Sequence, residues 1–239
     1  MPVMTPTGRW LALSIAALLV AATQERVQSQ SAASGPALAS RPTARVPKAA
    51  TAPAIDGKLD DLAWRQAVRL TFDRTIEKAV PTSQATEVLL LWDEQALYIG
   101  IRCHEPAVAR IVPGQKGKDV PVWKADSVEV FFGQLDRYYC FGINAAGGTV
   151  DSLGNDMRWS TDFAAVAAIH KDGWTAEFAL PLAKLADRPW PSEWIANFTR
   201  LRLAGPSPEE TAWVPTFSKT SHLPDKLGKL ILIESNPTK

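Results

Sequence analysis

Hydrophobic and polar residues alternate in short runs along most of this chain, with a period of two rather than 3.6. Leu97–Cys103 sets Leu97, Ile99, Ile101 and Cys103 on one side and Tyr98, Gly100 and Arg102 on the other. Ser127–Phe132 divides the same way, with Val128, Val130 and Phe132 opposite Ser127, Glu129 and Phe131. Gln84–Trp92 is apolar on both parities, which predicts a strand covered on both faces. The polar triplet Asp93–Gln95 joins it to Leu97–Cys103 as an antiparallel hairpin. Tyr138–Asn144 follows a polar turn at Gln134–Arg137, and Ala145–Gly148 turns the chain into a short strand at Thr149–Ser152. Phe163–His170 and Trp174–Leu180 flank the Gly-containing loop Lys171–Gly173, a second hairpin. Trp194–Leu203 and Leu227–Ile233 complete the set. Helical signals are short: Leu59–Val68 for one or two turns, Leu182–Ala186 for one. Many short strands separated by turns predict an all-β fold, an antiparallel β-sandwich of jelly-roll type with one or two short helices. Such a fold must cover its sheet edges, and Pro47–Pro53 is suited to lie along one.

The ends of the chain depart from this pattern. Arg9 precedes an apolar run, Trp10–Ala22, of a length that suits a signal-peptide core and falls short of the roughly 20 residues a bilayer span needs. Val20 and Ala22 are small residues placed for cleavage near Ala22, so residues 1–22 are expected to be a signal peptide and the mature chain to be periplasmic or secreted without a stable membrane span. Residues 23–43 are rich in Ser, Ala and Gln and read as a flexible linker. The folded unit is expected over 44–235, with 236–239 as a tail. The charge balance of 26 Lys+Arg against 25 Asp+Glu gives no electrostatic case for a nucleic-acid partner. Two cysteines exclude a disulfide scaffold. Strand parity sets Cys103 among the core-facing residues and Cys140 out of phase with Phe141 and Ile143, which argues against a bridge between them.

Five blocks carry a family resemblance. Ile55 to Trp64 (IDGKLDDLAW), Leu91 to Tyr98 (LWDEQALY), Trp123 to Phe131 (WKADSVEVF), Gly173 to Pro181 (GWTAEFALP) and Leu227 to Leu232 (LGKLIL) stand in one order over nearly the whole folded unit. Together they resemble the family 9 carbohydrate-binding modules, of the DOMON-like β-sandwich type. The resemblance implies a secreted, non-catalytic sandwich that binds mono- or oligosaccharides from plant-type polysaccharide such as xylan or cellulose. It also implies that structural calcium is common and that a glycoside hydrolase is often attached; a cell-surface protein is a separate candidate partner. It places Trp123 at a ring-stacking position, Glu129 at a hydroxyl-accepting one, and Asn144 in the matching strand. His222 stands near the family's second clamping tryptophan, Gly142 where the family has an arginine, and Trp213 at an earlier tryptophan of the pattern. The chemistry agrees: a pyranose has an apolar C–H face that an indole can cover and a hydroxyl rim that carboxylates and amides can bond.

Other constellations are less directed. Asp56, Asp60 and Asp61, and a second stretch at Asp151, Asn155, Asp156 and Asp162, could supply calcium oxygens; capping and turn bonding compete for the same side chains. Trp64, Trp92 and Trp174 sit in apolar patterns that suit a core, and Trp159 suits either a ligand contact or a lid on the sandwich. Catalysis has no support, since Asp126 and Glu129 point to opposite faces of a strand. Two alternatives remain open. One is a haem-binding electron-transfer domain using Met157 with His104, His170 or His222 as axial ligands. The other is a sandwich silent toward sugars and used for protein contacts.

Overall fold

The computed structural model describes residues 41–234. The expected signal peptide, most of the linker and the tail lie outside these residues.

Among the described residues, twelve strands form two sheets. The first strand is β1 (Thr43–Pro47), and a short 3-10 helix at Leu62–Gln66 leads into β2 (Val68–Arg74), β3 (Pro81–Trp92) and β4 (Ala96–His104). Then come β5 (Ser127–Gly133), β6 (Tyr138–Asn144), β7 (Thr149–Leu153), β8 (Ala164–His170) and β9 (Gly173–Pro181). One helical turn, α1 (Leu182–Leu185), precedes β10 (Trp194–Arg202), β11 (Glu209–Ala212) and β12 (Gly228–Ile233). The first sheet runs β1-β12-β10-β5-β6-β7, with β11 also paired to β10. The second runs β2-β3-β4-β9-β8. All pairings are antiparallel except β1 with β12.

The alternation predicts the faces. Leu97, Ile99, Ile101 and Cys103 of β4 meet Val128, Val130 and Phe132 of β5, with Phe141, Ile143, Trp174, Phe178, Trp194 and Phe198, in one core between the sheets. Phe132 and Trp194 stack at 4.4 Å between ring centroids. Trp159 lies 4.7 Å from the Tyr139 ring and joins the packing against this core, so it acts as a lid. Both cysteines are buried and free, as parity requires: Cys103 is in the core, Cys140 on the opposite face of its sheet. The Asp93–Gln95 turn is closed by Asp93, whose carboxylate accepts from the N–H groups of Gln95 and Ala96 and from the Tyr98 hydroxyl. At the N-terminal edge, β1 continues into a parallel bridge between Lys48 and Trp92, so this segment passes from the rim of one sheet to the other. Three strands were not predicted: β1, β11, and β2, where a helical reading of Leu59–Val68 overran the strand's first residue.

Candidate functional site on the outer face of the larger sheet

The face of the larger sheet that turns away from the core gathers polar residues in cross-strand rows. One row runs Thr199–Glu129–Gly142–Val150 over β10, β5, β6 and β7. The next, toward one end, runs Glu210–Leu201–Ser127–Asn144. The row on the other side runs Asn197–Phe131–Cys140–Ser152. Glu129 therefore sits at the centre of the face. It is the one residue of β5 that is not fully buried. Protein atoms crowd its carboxyl so closely that desolvation, reinforced by the nearby Glu210 carboxylate, raises its pKa to about 7. The Cys140 thiol lies 3.8 Å from Glu129 Oε1. Burial also raises Glu210 above its ordinary value.

A strap formed by residues 112–125 crosses the edge of this face. Asp126 holds its start, accepting from the N–H groups of Val112 (2.8 Å) and Leu203 (3.1 Å). Gly117 O accepts from Thr149 N–H, and Val120 N–H donates back to Thr149 O. The strap ends in a 3-10 turn, Val122–Lys124, that feeds β5. Val122 is buried over Gly142: a Cβ on Gly142 would stand 2.9 Å from both Val122 Cγ2 and Val150 Cγ1, and 3.5 Å from Glu129 Cγ. A larger side chain at 142 would have to displace the strap. Trp123, the next residue, is left 53% exposed.

The five residues singled out from sequence fall in different settings. Trp123 and Glu129 belong to this face and its rim. Asn144 also lies on it, but it is buried and its amide holds backbone: Nδ2 donates to Gln115 O at 2.8 Å, and Oδ1 accepts from the N–H groups of Ala146 and Gly148. It holds the strap and the turn after β6, so it shapes the face without presenting a free group. His222 lies over the far row, edge-on to Phe131 at 5.0 Å between ring centroids, with Nδ1 3.2 Å from the Tyr138 hydroxyl; burial lowers its pKa. Trp213 points the other way. Its ring packs on Phe198 at 5.8 Å and leaves no room for a Cβ on Gly228, so it is turned toward the core and away from Glu129.

Sequence reasoning missed the cleft beside this face. A cavity of about 580 Å³ is lined by Ile76, Val80, Leu201, Glu209, Glu210 and Lys219, among others. Phe217 N–H donates to Ile76 O, and the Phe217 ring is 68% exposed with φ at +55°, a conformation costly for a residue with a Cβ. Ile76, Val80, Phe217 and Lys219 sit in loops without periodicity, and Leu201, Glu209 and Glu210 come from β10 and β11. The charged pattern Glu209–Glu210 was the only available signal.

Four of the seven candidate calcium ligands have hydrogen-bonded partners of their own. Asp56 pairs with Lys58, Asp61 accepts from Ala54 N–H, Asp151 accepts from Ser160 and Thr161, and Asp156 is held by Arg158. Among the described residues no three His, Cys, Asp or Glu side chains converge. For haem, His170 bonds Gly57 O and Thr175 on the smaller sheet, whereas His222 is on the larger one. Among the described residues no helix is long and apolar enough to cross a membrane.

A family model described as carbohydrate family 9 binding domain-like matches residues 55–196. Solved structures share the fold. A Bacteroides uniformis protein provisionally assigned to carbohydrate binding is 16% identical, with a TM-score of 0.66, covering 81% of this chain and 100% of that one. A family 9 carbohydrate-binding module from Caldicellulosiruptor kristjanssonii, in complex with cellotriose, is 18% identical with a TM-score of 0.57, over 82% of this chain and 95% of that one. The Caldicellulosiruptor kristjanssonii module in complex with glucose gives 18% and 0.58, over 82% and 98%. A search of curated protein sequences returns no match.

Proposed function

The chain belongs to the carbohydrate family 9 binding domain-like family, and from that membership we propose that it is an exported, non-catalytic domain that binds sugars of plant-type polysaccharide on the outer face of its larger sheet. The observation that carries this reading is Trp123. A folded domain keeps an indole half in water against the hydrophobic effect, and here it does so on the turn that opens the strand bearing Glu129. The indole supplies an apolar platform for a pyranose ring. Glu129, near neutrality in pKa, can accept from a sugar hydroxyl when ionised or donate when protonated. The adjoining cleft supplies Glu210 and Lys219 for further hydroxyls. Family 9 modules that bind glucose and cellotriose point to the same ligand class. Such a domain would act beside a glycoside hydrolase or at the cell surface, holding substrate that another protein cleaves.

Calorimetric titration with xylo- and cello-oligosaccharides, alongside Trp123→Ala, tests the proposal. Saturable heat that falls at least tenfold in affinity in the variant supports it. A folded protein that gives no heat with either series sinks it. A sandwich used for protein contacts is the competing reading, favoured by Val122 packed over Gly142, and that second result would mean that the fold is kept while this ligand class is lost.

A further inference from the structure

Another cleft lies at the opposite end of β10. It measures about 300 Å³, at the lower end of the range for small-molecule sites, with room for a ligand the size of one or two sugar rings. Trp92, the last residue of β3, forms its floor. The Trp92 indole N–H is fixed to Ile233 O at 3.0 Å. Trp190, in the loop before β10, stands edge-on to Trp92 at 6.2 Å and 75°. The Arg188 guanidinium covers the Trp190 ring at 4.3 Å, and Lys48 lies 5.0 Å from the Trp92 ring. Both cations meet Glu94: Lys48 Nζ at 2.7 Å from Oε1 and Arg188 Nη2 at 3.0 Å from Oε2. Arg188 also donates to Glu94 O. Ser192 adds an exposed hydroxyl.

We propose that this cleft is a second sugar-binding site, separate from the Glu129 face. The proposal rests on the carbohydrate-binding reading above and extends it. Three features select the ligand class. Trp190, partly exposed, presents apolar ring surface, and the buried Trp92 backs it edge-on. A carboxylate, a guanidinium and a hydroxyl stand at their rim within reach of a ligand's hydroxyls. The charges nearby are balanced, Lys48 and Arg188 against Glu94 and Glu234, so a charged ligand finds no surplus to neutralise. A neutral ring with one apolar face and several hydroxyls fits that combination. The site is also organised in advance: the cation over each indole and the bonds to Glu94 hold the side chains in place, which lowers the ordering cost of binding. Glu129 pairs with Thr199 on β10, five positions from Trp194 at the other end of that strand, about 17 Å along an extended strand. One polysaccharide chain engaging both sites would gain apparent affinity by raising the effective concentration of the second contact.

The test is calorimetry with cellotriose and xylotriose on the wild type, Trp123→Ala, Trp190→Ala and Glu94→Gln, each confirmed folded by its thermal transition. Two sites in the wild type, with the one surviving Trp123→Ala weakened at least tenfold by adding Trp190→Ala and at least threefold by adding Glu94→Gln, support the proposal. Because Glu94 is half exposed, Glu94→Gln keeps the test informative if Trp190→Ala does not fold. A single site that Trp123→Ala removes overturns the second site and leaves the first reading standing. No saturable heat in the wild type removes both.

Discussion

Trp64 Nε1 lies 3.1 Å from Glu177 Oε1, across 113 residues of chain. The same buried carboxylate accepts from the backbone N–H groups of Asp56, Gly57 and Leu59. Two of the five sequence blocks, Ile55 to Trp64 and Gly173 to Pro181, thus meet at one side chain on the outer face of the smaller sheet. Their co-occurrence in the sequence records a packing contact rather than a ligand site. Gly100 belongs to that contact, since a side chain there would collide with Leu59.

Replacing Glu177 with Ala leaves four donors without an acceptor in a buried place. At about 1–3 kcal/mol per unsatisfied group, with partial relaxation, the loss is expected to exceed about 3 kcal/mol. Glu177→Gln, which keeps one acceptor oxygen, should lose less. Urea denaturation of the three proteins measures this ordering, and equal stabilities would refute the role given to Glu177.

The stability of the domain should depend on pH through Glu129. Burial raises its folded pKa to about 7 from 4.5, so between those values the native state keeps a proton that the unfolded chain has released. Stability therefore falls as pH rises from about 4.5 to 7 and levels off above. A shift of this size corresponds to about 3 kcal/mol. Glu129→Gln removes that dependence. Relative to wild type it should gain stability at pH 8 and change little at pH 4, as read from denaturation midpoints at both values.

Gly142→Ala should destabilise by about 1–3 kcal/mol, because its new Cβ meets two valines at 2.9 Å. Val122→Ala relieves one of the two collisions. The double variant is therefore expected to lose less than the sum of the singles, and strict additivity in a double-mutant cycle would contradict the packing of Val122 over this position.

Neither cysteine should react in the folded protein. Both thiols are buried, and burial pushes Cys103 up to about 12 and Cys140 well above its ordinary value. Alkylation followed by mass measurement is expected to give no adduct under native conditions and two after denaturation, with a melting temperature unchanged by reductant. A single native adduct would show that one of the faces opens.

The sandwich was legible because its two faces differ in polarity, so period-two alternation in β4, β5 and β6 reports directly on which side is buried. The sequence motifs were legible too, but as architecture. Asp93 closes a hairpin, Asp126 ties the strap to Leu203 just past β10, and Glu177 anchors the segment around Trp64. Within the block Trp123 to Phe131, both candidate ligand-binding residues, Trp123 and Glu129, keep access to solvent. The cleft was not legible, because Glu129 and Glu210 approach each other only through the pairing of β5, β10 and β11, a relationship of 81 residues' separation that no local pattern encodes. Trp213 misled for a related reason: its spacing suits either face, and only the register of β11 against β10 turns it inward.

The parallel pairing of β1 with β12 has a mechanical meaning. Thr43 lies beside Lys229, and Pro47 beside Ile233. Tension applied between Thr43 and Ile233 therefore pulls the two strands past each other lengthwise, and their hydrogen bonds carry the load together instead of parting one after another. A domain that grips a polymer while anchored through its ends would meet that load at this seam, and the seam is oriented to resist it.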